Sequence, residues 1–218
     1  MKDMAFFPTE YGVASLILRE IPYRQEAYIR VLEVQPENLE PLLQECASFC
    51  RACGAERVLW TGAETAASPA LTVLRMTGTA RIDRNQLEQL FPVTEATAAR
   101  WRQIYNERMQ AVPQARTLSF ADEKELTQAC GTYFIHHDGA LLGIGWLEDT
   151  HLKAVASVQP GAGERVMHTL MSLIEGEPMT LEVADSNEKA VSLYRRLGFL
   201  PTGIASQWYL YEMTSKNT

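Results

Sequence analysis

Two short stretches of the chain combine residue types and spacings that could support chemistry. One is a loop, Gln159 to Gly163, whose glycines stand just before a predicted helix. Free N–H groups at a helix N-terminus and the helix dipole favour a bound anion, and glycine lets the backbone approach it closely. The loop is therefore a candidate phosphate site. The other stretch follows the spacing N-x-x-A-x-x-x-Y-x-x-x-G-F, formed by Asn187, Ala190, Tyr194, Gly198 and Phe199.

Local structure explains part of the second stretch. Asn187 can cap a helix by accepting a bond from a free N–H of the first turn, and Gly198 stands where helices commonly end in a left-handed residue. Positions 190, 193, 194 and 197 share one helical face. A capped amphipathic helix with a buried tyrosine is therefore one interpretation. It leaves unexplained why this helix follows directly after the strand-like segment Met179–Val183.

Strand and helix together resemble the C-terminal signature of the GCN5-related N-acetyltransferase family. The resemblance covers residues 88 to 214, where the predicted order is helix–helix–β–β–β–helix–β–helix–β. It implies an α/β (α+β) fold with a mixed, mostly antiparallel twisted sheet flanked by helices. It also implies acetyl-CoA as co-substrate and direct transfer of its acetyl group to a primary amine, carried by a small molecule or a peptide.

The resemblance assigns roles to individual residues. Tyr194 is implied as the general acid that protonates the leaving thiolate, whereas a purely structural interpretation makes it a core tyrosine. Backbone donors near the splayed fourth and fifth strands of the sheet are implied to stabilise the oxyanion. The implied cofactor-binding residues are Val158, Gly161, Ala162, Gly163, Glu164, Arg165 and Asn187.

The glycine loop departs from the family pattern R/Q-x-x-G-x-G/A. Gln159 stands one residue too close to Gly161. Glu164 complements the helix dipole but would repel a phosphate if it faced inward, and Arg165 could offset that charge. The alternative is a glycine loop that only turns a strand into a helix.

The residue that accepts a proton from the amine is less well defined. Glu148, Asp149 and His151 lie between the third and fourth predicted strands, where a carboxylate or an imidazole could face the cleft. Glu148 and His151 are therefore the candidate bases. A polar hairpin turn is the alternative interpretation of the same residues.

The composition narrows the class of protein. Of the 218 residues, 46% are hydrophobic and 22% charged, which is typical of a globular chain with a real core. The net charge of −7 argues against nucleic-acid partners. The sequence has no apolar run long enough to cross a bilayer and no secretory signal, so we expect a cytoplasmic monomer or homodimer without membrane partners. Cys46, Cys50 and Cys53 share one face of a predicted helix and are expected to pack in a core rather than bind a metal.

The N-terminal third contains a partial version of the same order. Strands over Gly12–Ile21 and Ala27–Val34, a helix over Asn38–Cys53 and a strand over Arg57–Thr61 give β–β–α–β. The tripeptide Val-Gln-Pro occurs at 34–36 and at 158–160, each time between a strand and a helix. We therefore predict a partial copy without cofactor chemistry over 1–85 and the acetyltransferase domain over 86–218. The copy is expected to pack against the second domain, extend its sheet or shape its substrate cleft.

Two functional classes stay open. The first is an acetyl-CoA-dependent N-acetyltransferase. The second is a non-catalytic module of the same fold that binds CoA or another ligand for sensing or protein interaction, since a fold does not fix a function. The segments expected to build the cleft contain no recognisable substrate motif, so the acceptor amine stays open.

Overall fold

The computed structural model describes residues 2–79, 87–128, 130–174 and 176–212. The contacts divide the chain into two compact units. Unit 1 comprises the described parts of Met1–Thr72 and Ser206–Thr218, and unit 2 comprises those of Val73–Ala205. The predicted domain boundary at residues 85 and 86 lies outside the described residues.

Unit 1 contains the predicted β–β–α–β order. Its sheet has the strand order β1-β2-β3-β4-β11; β3 and β4 are parallel, and the other pairs are antiparallel. Its elements are β1 (Met4–Pro8), β2 (Gly12–Ile17), α1 (Ile21–Arg24), β3 (Glu26–Val34), α2 (Leu39–Ala52), β4 (Arg57–Thr61) and the end of β11 (Leu200–Leu210). The first predicted strand ends four residues early, because the chain turns into the short helix α1, whose first turn contains Pro22.

The cysteine stripe packs in the core of unit 1, as predicted. Cys46 and Cys50 are fully buried beside Leu42 and Leu43 on the face of α2 that covers the sheet. Burial raises the pKa of both thiols to about 12, because a thiolate would lose its hydration there. Cys130, by contrast, is exposed.

Because the pKa values of these two thiols are raised, we expect the protein to lose stability at alkaline pH. Both pKa values are raised above the ordinary thiol value of 9, so the folded chain holds protons that the unfolded chain releases. The contribution of the two thiols to the free energy of unfolding is complete below pH 9 and is lost as the pH rises towards 12. The loss is at most about 1.4 kcal/mol per pH unit for each thiol. Urea denaturation of Cys50→Ala between pH 8 and 10.5 should show a shallower pH dependence than wild type. Cys130→Ala should retain the wild-type slope, and an unchanged slope in Cys50→Ala would contradict the prediction.

Unit 2 contains the rest of β11 and the remaining elements. Its strand order is β11-β5-β10-β9-β8-β7-β6, in which β9 and β10 are parallel. The elements are β5 (Leu71–Gly78), β6 (Gln89–Pro92), α3 (Ala98–Met109), α4 (Glu123–Gln128), β7 (Thr132–His137), β8 (Ala140–Glu148), β9 (His151–Ser157), α5 (Gly163–Met171), β10 (Met179–Ala184) and α6 (Glu188–Arg196). Each unit thus has a mixed, mostly antiparallel sheet flanked by helices, as predicted.

Two strands of unit 2 bear on the sequence-based predictions. Strand β5 falls within the N-terminal copy predicted over 1–85, and in the structure it pairs with β10 from Val73 to Gly78. The sequence predicts the last strand from Gln207 onward, but it begins at Leu200, because Phe199 already leaves α6 and enters the core. No helix of the described residues is both long and apolar enough to cross a membrane.

The helices of unit 2 cover both faces of its sheet. On one face, α3 and α4 pack Trp101 and Leu126 against Ile144, Trp146 and Ala154. On the other face, α5 and α6 pack against the strands through an apolar cluster that includes Val166, Leu170, Val191, Tyr194, Leu147, Leu152 and Leu181. Each core residue of β8 and β9 can therefore be assigned to the face covered by α3 and α4 or to the face covered by α5 and α6.

Candidate cofactor and acyl-transfer site

A one-residue bulge bends β9 in the middle of unit 2. Leu147 is opposite Leu152, and the next residue, Trp146, is opposite Ala154, so Lys153 is an extra residue without a partner in β8. Leu152 and Ala154 consequently face opposite sides of the sheet. A bulge of this kind bends its strand and increases the local twist.

The parallel pair β9/β10 opens where the bulge begins. Its ladder holds two pairs, His151 with Thr180 and Leu152 with Leu181. The remaining residues of both strands, all within the described part of the chain, make no ladder pairs with one another. The bend at Lys153 therefore separates the predicted fourth and fifth strands and leaves backbone N–H and C=O groups facing the gap.

The loop at the end of β9 presents free amides at the start of α5. The backbone N–H groups of Gly161, Gly163, Glu164 and Arg165 have no acceptor among the described residues, whereas Ala162 N–H donates to the carbonyl of Gln159. Gly161 has φ +80°, and a Cβ built there meets no atom within 4 Å. The loop thus provides free donors and an open side for an anion.

The charged side chains at the start of α5 have protein partners. Glu164 accepts a 2.9 Å hydrogen bond from Nε of Arg196 on α6. Arg165 pairs with the buried carboxylate of Glu88 and contacts Nδ1 of His137 at 2.9 Å. The charge of Glu164 is therefore balanced without Arg165.

Arg108 on α3 lies beside the same loop and was missed by the sequence analysis. Its Nη2 atom donates a 2.9 Å hydrogen bond to the carbonyl of Val158, one of the predicted cofactor residues. The guanidinium is exposed and keeps further donors for an anion. Arg108 lies 50 positions away along the chain, and no local pattern indicates this contact.

The helix that bears Tyr194 is fixed at both ends by the residues of the motif. Asn187 is the N-cap of α6, and its Oδ1 accepts a 3.3 Å bond from Ala190 N–H, as predicted. At the other end, Gly198 has φ +88°, its N–H donates to Arg195, and Phe199 N–H donates to the carbonyl of Tyr194. This pair of bonds is a Schellman motif.

Tyr194 itself is a buried, protonated phenol. The residue is 7% exposed, its ring centroid lies 5.8 Å from that of Phe199, and its hydroxyl has no hydrogen-bond partner among the described residues. Burial raises the pKa of Tyr194 to about 12. The neighbouring Leu193 lies close to Gly163, because a Cβ built on that glycine would be 3.1 Å from Leu193 Cδ2. The fold therefore brings α6 against the start of α5.

The two candidate bases lie together but away from the glycine loop. Glu148 and His151 are cross-strand partners of β8 and β9. Nδ1 of His151 is 3.0 Å from Oγ1 of Thr180, and Glu148 is exposed and pairs with Lys153 at 3.5 Å. His151 is at the paired end of β9, whereas the loop with the free amides follows its other end.

Comparison with known proteins identifies the fold. No family model and no curated protein matches the chain. Among solved structures, a GCN5-related N-acetyltransferase from Anabaena variabilis superposes with a TM-score of 0.62 at 12% identity, covering 92% of this chain and 59% of that one. A second such acetyltransferase, from Sphaerobacter thermophilus, gives 0.52 at 12% identity, with 92% and 76% covered. A conserved protein of unknown function from Staphylococcus epidermidis gives 0.57 at 10% identity, with 95% and 93% covered. The chain therefore has the fold of the GCN5-related N-acetyltransferases.

Proposed function

We propose that this protein transfers an acetyl group from acetyl-CoA to a primary amine. The observation that carries the proposal is the opening between β9 and β10, which begins at the bulge of Lys153 and leads to the free amides of α5. A fold alone does not establish an activity, so the proposal depends on this local geometry.

The residues around the opening fit the parts of acetyl-CoA. The amides of Gly161, Gly163, Glu164 and Arg165 would hold the diphosphate, with Arg108 beside them. The unpaired backbone of β9 beyond Leu152 would bond to the amide-containing arm of the ligand, as a strand does to its neighbour. Val158, Ala162 and Asn187 remain proposed contacts at the ends of this path.

Acetyl-CoA supplies a thioester when bound, and the chain supplies proton transfer. Because burial raises the pKa of Tyr194 to about 12, its hydroxyl is protonated at neutral pH and can donate to the leaving sulfur. Glu148 and His151 are the proposed proton acceptors for the amine. Because both residues lie at the end of β9 opposite the glycine loop, we expect the proton to pass from the amine to them through water.

Binding of acetyl-CoA is the direct test of the proposed site. Calorimetric titration of the full chain should show one saturable site, and the melting temperature should rise with ligand concentration because the folded state binds. A panel of amines should then be tested for release of the CoA thiol. The absence of binding and of thermal stabilisation at millimolar acetyl-CoA would reject the proposal.

The variant Tyr194→Phe tests the acid role. We expect turnover with an accepted amine to fall by roughly 10²- to 10⁴-fold, the usual contribution of a positioned proton donor. The dissociation constant of acetyl-CoA should stay within about twofold, because the ring and its packing against Phe199 are retained. Tyr23→Phe, an exposed position in unit 1, is the matched control. An unchanged rate across pH in Tyr194→Phe would assign the proton to another donor.

A non-catalytic module that binds CoA or another ligand is the second candidate. It is favoured by the ion pairs Arg165–Glu88 and Arg196–Glu164, which already neutralise two cations near the predicted phosphate site. Such a module would bind acetyl-CoA and CoA with similar affinity and release no thiol with any amine. Saturable binding combined with measurable thiol release would exclude it.

Unit 1 provides an internal comparison for the site. Its β3/β4 pair is parallel and flanks α2, as β9/β10 flanks α5, yet it is paired over five residues, from Glu26–Arg57 to Arg30–Thr61. We propose that unit 1 is a partial copy of the same fold in which the corresponding strands, β3 and β4, stay paired and leave no gap for a ligand. One molecule of acetyl-CoA per chain is therefore the expected stoichiometry.

A further inference from the structure

The side chain of Lys153, the bulged residue of β9, lies in a cage of complementary groups. Its Nζ atom is 4.2 Å from the centroid of the Trp146 ring. The same atom is 3.3 Å from Oε1 of Glu125 and 3.5 Å from Oε2 of Glu148. An aromatic face together with carboxylates is the chemistry that recognises an ammonium group.

The cage lies where the opening between β9 and β10 begins. The floor of the cage, Trp146, is 5% exposed and belongs to the face covered by α3 and α4. Its indole N–H is enclosed and has no acceptor among the described residues. An enclosed donor without a partner is uncommon in native proteins. An ammonium group has no lone pair to accept this bond, so an acceptor atom elsewhere in the bound molecule would have to complete it.

The charges around the cage depend on Lys153. Glu125 also pairs with Arg116 at 3.7 Å. Glu148 has Lys153 as its ion-pair partner within the described part of the chain. If the side chain of Lys153 moved away, Glu148 would lose the one cation that pairs with it among the described residues, and Glu125 would keep only Arg116 among them. The cage would then attract another cation.

We propose that Trp146, Glu125 and Glu148 form a subsite for a protonated ammonium group of the acceptor, and that Lys153 fills it when no acceptor is bound. This inference rests on the proposed acetyl transfer. The attacking nitrogen must be neutral, so the caged ammonium is a second cationic group of the same molecule. The acceptor class is therefore compounds with at least two amino groups. Glu148 then serves recognition, and His151 remains the proposed proton acceptor.

The test uses n-butylammonium, which reproduces the lysine side chain. Lys153→Met removes the resident ammonium and keeps most of its apolar length. Calorimetric titration of the full-length variant with n-butylammonium chloride should show saturable binding at least tenfold tighter than in wild type. Adding Glu148→Gln to Lys153→Met should remove most of that binding. Lys189→Met, at an exposed position of α6, should behave as wild type.

The outcomes separate this inference from the acetyl-transfer proposal. Equal amine binding by wild type and Lys153→Met, or none by a Lys153→Met protein that melts as wild type does, would overturn the subsite. Both proteins should also be titrated with acetyl-CoA. Binding of acetyl-CoA without amine binding rejects the subsite alone. Failure of wild type to bind acetyl-CoA rejects the transfer reaction, and with it the assignment of the cage to an acceptor.

Discussion

Deletion of Lys153 is expected to abolish acetyl-CoA binding while the fold persists. The deletion removes the one extra residue of β9, so Leu152 and Ala154 become neighbours opposite Leu147 and Trp146. Leu152 and Ala154 already face opposite sides of the sheet, and every core residue of the strand therefore keeps its face. The straightened β9 can pair with β10 beyond Leu152 and close the gap that the ligand needs.

The expected loss of affinity is on the order of 100-fold or more in the dissociation constant of acetyl-CoA, which is about 2.7 kcal/mol. Calorimetric titration measures it, and far-UV circular dichroism with thermal melting verifies the fold. Lys153→Ala is the matched control, because it removes the side chain but keeps the bulge. Acetyl-CoA binding within about threefold of wild type by the deletion variant would show that the bulge does not create the site.

Substitution Gly131→Ala is expected to destabilise unit 2 by about 3 kcal/mol or more. A Cβ on Gly131 would be 1.7 Å from the carbonyl oxygen of Leu147. The same two residues are joined by a 2.8 Å bond from Leu147 N–H to the Gly131 carbonyl. The obstacle is backbone rather than a flexible side chain, so the methyl group can be accommodated only by displacing the end of β8.

Urea denaturation followed by hydrogen-exchange mass spectrometry of peptides from β7 and β8 measures this effect within unit 2. Gly203→Ala is the control, since a Cβ built there meets no atom within 4 Å and its φ is not positive. That variant should unfold within about 0.5 kcal/mol of wild type. Similar midpoints for Gly131→Ala and Gly203→Ala would show that the backbone relaxes at little cost.

The sequence predicted the elements whose ends carry strong local signals. The apolar runs on either side of Asp138-Gly139 predict a hairpin whose first strand is Thr132–His137, and the structure has the strand with those bounds. The helix of Tyr194 was predicted to within one residue, because Asn187 and Gly198 occupy its caps. These residues act through bonds to their own neighbours, so their spacing along the chain is sufficient to locate them.

The features that distinguish the candidate site depend on distant partners. The sequence Leu152-Lys153-Ala154 has the pattern of a regular β-strand. Only its register against β8 shows that Lys153 is an extra residue. The pairing of Arg165 with Glu88 and the contact of Arg108 with Val158 join residues far apart along the chain. The short strand β6 ends at Pro92, which from the sequence alone indicates a break in the chain, although proline is tolerated in an edge strand.

The hydrogen bond from Phe199 N–H to the carbonyl of Tyr194 has a consequence for recognising distant relatives. A tyrosine alone is common in amphipathic helices, whereas the following Gly-Phe pair sets the depth and orientation of that ring. A search that scores the tyrosine without positions 198 and 199 would collect many unrelated helices. Conversely, a relative that retains Gly-Phe but replaces the phenol would be expected to preserve the architecture without the proposed proton donor.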